Sequence, residues 1–194
     1  MNKKIGIIGK GHVGSALQHG LEHAGYEVKM TGKGDAVRPT AAWAEIVILA
    51  VPYTALDATL AQMGSAVDGK TLVDATNVLG PDGKLALGFT TSGAEQLQKK
   101  APSARVVKAF NTVFAQHMST GKVRQERLAC LAAGDDEKAK ADVLEMARAI
   151  GFDALDAGPL LNSRWLESLG FLNIQLGYVV NKGLGGGIGF ALVR

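Results

Sequence analysis

The sequence lacks the features that mark several classes of protein. A single cysteine, Cys130, excludes an internal disulfide framework. With 5 prolines and no G-X-Y period the chain is not collagen-like, although 25 of its 194 residues are glycine. The longest apolar stretch, residues 168–180, contains Asn173 and Gln175 and is too short to span a bilayer. The 47% of hydrophobic residues therefore predict a folded core built without disulfides.

The chain also has no large excess of acidic or basic residues. Lys and Arg number 21 against 18 Asp and Glu, and the basic residues are scattered. We therefore expect no nucleic-acid partner and no membrane partner, since a small anionic ligand accounts equally well for a net charge of +3. The first residues have neither the apolar run nor the cleavage site of a signal peptide, so a cytoplasmic location is expected. Cys130, within Leu-Ala-Cys-Leu-Ala, is predicted to be a buried, inert thiol.

Short apolar runs bounded by turn residues recur along the chain. They predict strands at residues 4–8, 27–30, 46–51, 71–74, 106–110, 128–132 and 152–155. The runs are continuous rather than alternating, which is typical of strands covered on both faces. Apolar residues at helical spacing lie between them at residues 12–24, 53–63, 94–100 and 136–150. This order predicts an α/β fold of the Rossmann type with a doubly wound, mainly parallel sheet.

The last part of the chain predicts a short helical C-terminal extension. A helix is expected from Pro159 towards Tyr178, and no linker or repeat divides the chain. We therefore predict one domain over residues 1–194, with the sheet and crossover helices in 1–158 and a helix and glycine-rich tail in 159–194. Because the last helix is apolar nearly all round, it needs cover on several sides, which favours a homodimer over a helix lying across the sheet.

A glycine-rich turn follows the first predicted strand. It has the pattern G-x-G-x-x-G and consists of Gly9, Lys10, Gly11, His12, Val13 and Gly14. The first glycine permits the tight turn, the second lets a pyrophosphate approach the backbone, and the third lets helix and strand pack closely. Since the pattern stands between a strand and a helix, it predicts a dinucleotide-binding site at that helix N-terminus.

The end of the second predicted strand bears on which dinucleotide binds. Enzymes that bind NAD place a carboxylate there for the ribose 2′-hydroxyl, whereas this chain has Thr31, Gly32 and Lys33. An ammonium group attracts a 2′-phosphate, and Arg38 is expected to assist, so the residues favour NADP(H) over NAD. Asp35 leaves an alternative open, because its carboxylate would favour NAD if it reached the ribose.

Further strand ends are expected at the same edge of the sheet, where ligands of open α/β sheets bind. They carry Ala50, Val51, Pro52 and Tyr53 after the third strand, Asn77 after the fourth, and Asn111 and Thr112 after the fifth. Val51 and Pro52 are predicted to form an apolar floor under the nucleotide. The amides and hydroxyl would bond the nicotinamide, although plain turn chemistry explains Asn77 equally well.

No metal site or catalytic nucleophile is predicted. His19 and His23 lie four apart on the first helix, where exposed polar residues are the expected interpretation. Arg164 and Glu167 are predicted to form a surface pair, with Arg164 facing an anionic tail of a ligand as the alternative.

The chain resembles the NADP oxidoreductases that depend on coenzyme F420. The resemblance covers essentially the whole length and rests on the opening glycine pattern and on residues 50–53, 73–77, 107–112 and 155–167. It implies hydride transfer between NADPH and a deazaflavin, with catalysis by positioning and without a catalytic side chain. It further implies that the nicotinamide is bordered by Asn111, Thr112, Val113, Phe114 and Ala115, with Asn111 and Thr112 orienting the ring. Leu160, in the loop 158–162, would cover the second ring, and the large Phe114 would narrow its pocket.

Two other functions stay open at this point. The cytosolic domains of membrane metalloreductases are similar too, which implies a flavin or ferric reductase with a flavin as second substrate. A non-catalytic NADPH sensor would need the dinucleotide site alone. The tail, with five glycines between residues 183 and 189, is predicted to pack along a dimer partner or against the second-ring pocket.

Overall fold

A seven-stranded sheet forms the centre of the molecule. The computed structural model describes residues 3–193, and its sheet has the strand order β2-β1-β3-β4-β5-β8-β9. These strands are β1 Lys4–Ile8, β2 Glu27–Thr31, β3 Ile46–Leu49, β4 Thr71–Asp74, β5 Arg105–Lys108, β8 Ala129–Gly134 and β9 Asp153–Asp156. A separate antiparallel pair consists of β6 Lys122–Val123 and β7 Glu126–Arg127. All seven predicted strands are present, with ends shifted by a few residues.

Most of the sheet is parallel. The first five strands run in one direction, as the register between Ile7 and Ile48 in β1 and β3 illustrates. β8 pairs antiparallel with β5, where Val107 faces Gly134, and β9 runs parallel to β8. The predicted Rossmann-type, mainly parallel sheet is confirmed. Because β9 follows the direction of β8, the loop after β9 leaves the sheet at the opposite edge from the loops after β1 to β5.

Helices cover both faces of the sheet. In chain order they are α1 His12–His23, α2 Val37–Trp43, α3 Leu56–Met63, α4 Gly93–Lys100, α5 Ala115–Met118, α6 Glu137–Ile150 and α7 Ser163–Ile174. One core layer includes buried residues of α1 and α6, such as Leu17 and Val143, and the other includes residues of α2, α3 and α4, such as Ala41 and Leu97. The strands are buried on both sides, which is why their apolar runs do not alternate. Cys130 is fully buried in β8, and burial raises its pKa to about 12, as expected for an inert thiol.

Helix α2 was not expected from the sequence. It is only seven residues long, and Pro39 stands in its first turn. A proline is tolerated there because the first backbone N–H groups of a helix have no partner inside the helix. Its buried residues Val37, Thr40 and Ala41 hold it on the sheet beside β1. Packing therefore stabilises a helix whose own sequence indicates it only weakly.

The C-terminal segment is helical, as predicted. A short 3₁₀ turn at Leu160–Asn162 leads into α7, which continues as π-helix over Gln175–Val180. The tail then returns to the sheet, where the backbone N–H of Ala129 donates to the carbonyl of Phe190 at 2.7 Å. No helix among residues 3–193 is long and apolar enough to cross a membrane.

Candidate nucleotide-binding site

The turn between β1 and α1 is shaped by two of its glycines. Gly9 has φ +125°, a conformation that residues with a side chain rarely adopt, and a Cβ there would collide with the carbonyl oxygen of Ala50. A Cβ at Gly14 would collide with the carbonyl oxygen of Gly9. At Gly11, in contrast, a Cβ would meet no atom within 4 Å. The turn is thus closed towards the protein and open at Gly11, which is the arrangement that a backbone–phosphate contact requires.

The N-terminus of α1 carries no side-chain cap. Its N-cap residue is Gly11, and no acidic residue stands in its first turn. Two other helices have side-chain caps, since Ser92 accepts the N–H of Glu95 at 3.1 Å in α4 and Asp136 accepts the N–H of Ala139 at 2.8 Å in α6, whereas α3 and α7 have none. The partial positive charge and N–H groups at the start of α1 are therefore available to an anion.

A cavity of about 670 Å³ lies beside this turn. It is lined by Ile8, Gly9, Lys10, Gly11, Gly32, Lys33, Gly34, Asp35, Val37, Ala50, Val51, Pro52, Ala55, Ala58, Thr59 and Gln62. Eight of these are residues predicted to bind the cofactor, and they come from the ends of β1, β2 and β3. Sequence reasoning missed the wall contributed by α3 and the turn before it, because small residues such as Ala58 in α3 and Ala55 in the turn carry no chemical signal. We call this cavity and the adjoining first turn of α1 the phosphate end of the site.

The remaining predicted residues near this end lie just outside the cavity lining. His12, Val13 and Gly14 form the first turn of α1, and Tyr53 begins the short turn before α3, where its hydroxyl donates to Gln96 at 3.1 Å. The Thr31 carbonyl accepts the N–H of Gly9 at 2.8 Å, so it joins the ends of β2 and β1.

Arg38 does not reach this end of the site. Its guanidinium donates to the carbonyl of Met63 at 3.1 Å and to the hydroxyl of Ser65 at 3.3 Å. The expectation that Arg38 assists a 2′-phosphate is therefore wrong for this structure. Because α2 was not foreseen, the direction of its side chains was not foreseen either.

The other predicted residues lie under α7, at what we call the helix-covered end. The Asn111 amide donates to the carbonyl of Leu166 at 2.8 Å, and the Asn173 amide donates to the carbonyl of Thr112 at 3.0 Å. A Cβ at Gly170 would come within 2.6 Å of Asn111 Nδ2 and 2.7 Å of Asn77 Oδ1. The carboxyl ends of β4 and β5 therefore hold a helix closely, and Asn111 and Thr112 are each only 3% exposed.

Several oxygens at this end have no hydrogen-bond donor among the described residues. They are Thr76 Oγ1, Asn77 Oδ1, Asn111 Oδ1 and Asn173 Oδ1. Buried polar atoms usually have a partner, protein or water. The amide oxygens are thus buried acceptors with no donor among the described residues, and the proposed ring-orienting role of Asn111 stays a prediction.

A buried charge cluster fastens α7 to the sheet. The Lys108 ammonium lies 2.9 Å from Asp74 Oδ2 and 3.2 Å from Glu167 Oε1, and both Lys108 and Asp74 are fully buried. Burial by itself lowers the pKa of Lys108, but Asp74 and Glu167 outweigh it and raise that pKa. Glu167 also accepts the N–H of Gly93 at 3.0 Å and so caps α4.

The predicted surface pair of Arg164 and Glu167 is therefore wrong. Glu167 faces the core, as just described, while Arg164 forms a bidentate pair with Glu95 at 2.8 and 2.7 Å. This pairing also leaves the Arg164 guanidinium engaged with protein rather than with a ligand tail. Residues three apart on a helix point about 60° apart, so one can face the core while the other lies at its margin.

Two further predictions are corrected by the structure. The Phe114 ring is 7% exposed, contacts Tyr178 edge-on at 5.0 Å between ring centroids, and packs close to Gly177 and Gly186, so it does not face an open pocket. Leu160 is 3% exposed in the core layer of α4 and does not cover the carboxyl edge. β9 runs opposite to β5, and the Gly158 carbonyl accepts the N–H of Gly134, so the following loop passes beside β5 and α4.

Val113 is buried in the core, and Ala115 begins α5. Neither lines the cavity at the phosphate end.

His19 and His23 are exposed on α1, as expected. Within residues 3–193 there is no cluster of three metal-ligating side chains.

Comparison with known proteins gives the family. No established protein-family model matches the sequence. The F420-dependent NADP reductase of Methanothermobacter marburgensis is 34% identical over 172 residues, which are 84% of this chain and 75% of that protein. The chain belongs to the family of F420-dependent NADP reductases. The family predicted from the sequence is thereby confirmed.

Two more similarities extend this family assignment. A crystal structure from Arthrobacter sp. FB24, of a protein provisionally described as an F420-dependent NADP reductase, has a TM-score of 0.88, 27% identity and full coverage of both chains. The rat metalloreductase STEAP3 is 32% identical over 184 residues, which are 86% of this chain. The chain spans about a third of the length of that metalloreductase, 36%.

Proposed function

We propose that the protein transfers a hydride between NADP(H) and coenzyme F420. Family membership makes it an NADP-dependent oxidoreductase, and the deazaflavin as second substrate is the proposed part. The observation that carries the dinucleotide part is the uncapped N-terminus of α1, which opens at Gly11 into a cavity lined by Lys10 and Lys33, whereas the deazaflavin rests on the similarity to the F420-dependent NADP reductases. This combination of free N–H groups and ammonium groups matches a ligand with several phosphates.

The residues of the phosphate end fit NADP(H). The first turn of α1 would hold the pyrophosphate, and Lys10, Gly32 and Lys33 would surround a ribose 2′-phosphate. Val51 and Pro52 line the cavity and would form the apolar floor under the nucleotide that the sequence predicts. The bound dinucleotide and deazaflavin would supply the hydride chemistry themselves. The protein contributes position and exclusion of water, so no side-chain nucleophile is required.

The helix-covered end would orient the reacting ring. Asn77 and Asn111 have buried amide oxygens without a donor at the carboxyl ends of β4 and β5, and we infer that an amide group of the cofactor would reach these acceptors after a shift of α7. α7 covers this edge and shields it from water. We infer that binding of the second substrate depends on this helix and on the loop from Asn111 to Ala115.

A flavin or ferric reductase is the second candidate function. The similarity to the metalloreductase STEAP3 favours it, because the similar region covers 86% of this chain. Both candidates use the same dinucleotide site and differ only in the acceptor.

The acceptor can be identified directly with purified protein. NADPH absorbance is followed under anaerobic conditions with F420, FMN, FAD or a ferric chelate, each added alone. Oxidation with F420 only supports the leading proposal, and oxidation with flavin or ferric chelate only supports the second candidate. Binding of NADPH without turnover on any acceptor contradicts both and supports a sensor. Lys33→Ala, which removes an ammonium group from the cavity lining, should weaken NADPH binding, and Lys84→Ala, at an exposed lysine outside the lining, is its control.

We also propose that the chain forms a homodimer through the outer face of α7 and of the 3₁₀ turn and π-helix that flank it. Leu161, Trp165, Leu172 and Val179 are each about half exposed, and Phe89 stacks on Trp165 with ring centroids 6.0 Å apart. The charged groups of α7 are engaged inside the chain, which leaves this face apolar and neutral. A second copy presenting the same face would match it. Trp165→Glu is expected to shift the mass in solution from dimer to monomer, and a monomeric parent protein would contradict the proposal.

The cytoplasmic location and the single domain over residues 1–194 stay predictions. The tail docks on its own chain, since His117 Nε2 lies 3.1 Å from the Gly186 carbonyl oxygen and Ala129 bonds to Phe190. Its predicted packing along a dimer partner is therefore not needed to hold it in place.

A further inference from the structure

The loop after β2 closes on its own carboxylate. The backbone N–H of Gly32 donates to Asp35 Oδ2 at 2.8 Å, and the N–H of Asp35 donates to the Gly32 carbonyl at 3.2 Å. These two bonds make a tight turn over residues 32–35. Gly32, Lys33 and Asp35 all line the cavity, so the carboxylate is held at the corner where the sequence predicted the 2′-phosphate.

Lys10 is drawn to the same carboxylate. Its ammonium lies 3.7 Å from Asp35 Oδ2, and both side chains are about half exposed, 56% and 50%. The lysine stem passes over Gly32, where a Cβ would come within 3.0 Å of Lys10 Cβ and Cδ. Because Gly32 has no side chain, Lys10 can reach the loop after β2 and the Asp35 carboxylate in it.

The corner holds two ammonium groups and one carboxylate. The N–H of Gly32 and then the ammonium of Lys10 lower the pKa of Asp35, so it is ionised at neutral pH. Among residues 3–193, Lys33 makes no ion pair or hydrogen bond. The corner thus carries a formal charge of +1, and a neutral residue at position 35 would make it +2.

We propose that Asp35 sets the selectivity of this corner between dinucleotides with and without a 2′-phosphate, and that it acts against the phosphate. Its carboxylate engages the Gly32 N–H and the Lys10 ammonium, which are two of the three groups proposed to surround a 2′-phosphate. A phosphate must displace it and then stand beside a like charge. A ribose 2′-hydroxyl, in contrast, can donate to the carboxylate. Asp35 therefore weakens NADPH binding and reduces the preference of the protein for NADPH over NADH. This inference rests on the proposed function.

The test compares binding of NADPH and NADH by titration calorimetry in the parent protein and in Asp35→Asn. The asparagine oxygen can still accept the Gly32 N–H, so the turn is kept while the charge is removed. We expect NADPH to bind about five- to tenfold more tightly at low salt, from removal of a unit charge ~5 Å from a phosphate in water. NADH is expected to bind no more tightly than to the parent protein, because an amide oxygen is a weaker acceptor for the 2′-hydroxyl than a carboxylate, and the gain for NADPH should shrink at high salt.

A matched control distinguishes a local effect from a change in net charge. Asp82→Asn alters the charge equally, in a loop where Asp82 Oδ1 accepts the N–H of Lys84 at 3.1 Å and Lys84 Nζ lies 3.9 Å from the carboxylate. It should leave both affinities unchanged. Lys10→Met in the Asp35→Asn background should remove most of the gain for NADPH, because the released ammonium is then absent.

The outcomes separate the inference from the proposed function. An unchanged ratio of NADPH to NADH affinity in Asp35→Asn, or an equal gain in Asp82→Asn, would overturn the inference alone. Weaker NADPH binding in Asp35→Asn would also overturn it. If the parent protein binds neither dinucleotide, the proposed function fails and this inference fails with it.

Discussion

The phosphate end and the helix-covered end lie at the same edge of one sheet, but the ion pair at the first is exposed to solvent and the ion pair at the second is buried. At the phosphate end, Lys10 and Asp35 are half exposed and 3.7 Å apart. At the helix-covered end, Lys108 and Asp74 are fully buried and 2.9 Å apart. Since exposed ion pairs stabilise proteins little, the first pair is free to change partners, whereas separating the second leaves a buried charge alone.

The difference shows how one sheet edge can serve both binding and structure. A glycine matters at each end, but for different partners. Gly11 leaves open space beside a helix N-terminus, and Gly170 lets a helix approach Asn77 and Asn111. We therefore expect substitutions at the helix-covered end to change stability and those at the phosphate end to change affinity.

The largest expected effect is at Lys108. Lys108→Met leaves Asp74 and Glu167 buried without their cation, so the free energy of unfolding should fall by about 3–5 kcal/mol. Urea denaturation followed by circular dichroism measures it. Lys84→Met, at an exposed lysine, should change it by less than about 0.5 kcal/mol. A loss below about 1 kcal/mol in Lys108→Met would show that the cluster does not hold α7.

A smaller effect is expected at Gly170. In Gly170→Ala the new methyl group meets Asn111 and Asn77 within 2.6–2.8 Å, so α7 must shift, at a cost of about 1–3 kcal/mol. Affinity for 2′,5′-ADP, which needs only the phosphate end, should be unchanged while turnover falls. Gly88→Ala is the control, because a Cβ there meets nothing within 4 Å. Weaker 2′,5′-ADP binding would show that the two ends are coupled.

At the phosphate end, Lys33→Ala should change affinity and not stability. Loss of one ammonium beside the proposed 2′-phosphate is expected to raise the NADPH dissociation constant about tenfold, with NADH little affected. Calorimetry measures the two affinities, and the melting temperature should stay within about 1 °C. Equal NADPH and NADH affinities in the parent protein would contradict our interpretation of the loop after β2.

The smallest effect concerns the pair at the margin of the helix-covered end. Hydrogen bonds from Arg164 lower the pKa of Glu95 from its usual 4.5. A carboxylate with a lowered pKa stabilises the fold above the unfolded-state pKa, and this contribution is lost as the pH falls through the lowered value. Glu95→Gln should lower the melting temperature by about 2 °C at pH 7 and by less at pH 3. Equal shifts at both pH values would exclude the ion pair as the cause.

The phosphate end was largely predictable because its signals are local. The glycine turn spans six consecutive residues, and the predicted roles of Gly9 and Gly14 agree with the contacts that a Cβ would make. Val51, Pro52 and Lys33 followed from strand ends, since the ends of parallel strands meet at one edge. Helix α2 and the direction of Arg38 were not predictable, because Pro39 obscures the helical pattern and only packing decides the outcome.

The helix-covered end was predicted less well, because it depends on contacts between distant residues. Glu167 lies 74 positions from Gly93 and 59 from Lys108, yet it binds both. No local pattern shows that Glu167 is buried, and the sequence predicted that it forms a surface pair with Arg164. Leu160 was misplaced for a similar reason, since the antiparallel direction of β8 and β9 decides where their loop leads.

The sequence by itself determined the Rossmann-type sheet, the glycine turn and the family, because continuous apolar runs and a six-residue motif carry their meaning in neighbouring residues. Only the tertiary structure decided that α7 covers the carboxyl edge and that Lys108 is paired twice. It also placed the Asp35 carboxylate on the donors proposed for a phosphate. The physical reason is that burial and ion pairing depend on which distant groups the fold brings within a few ångströms, and sequence spacing does not encode that distance.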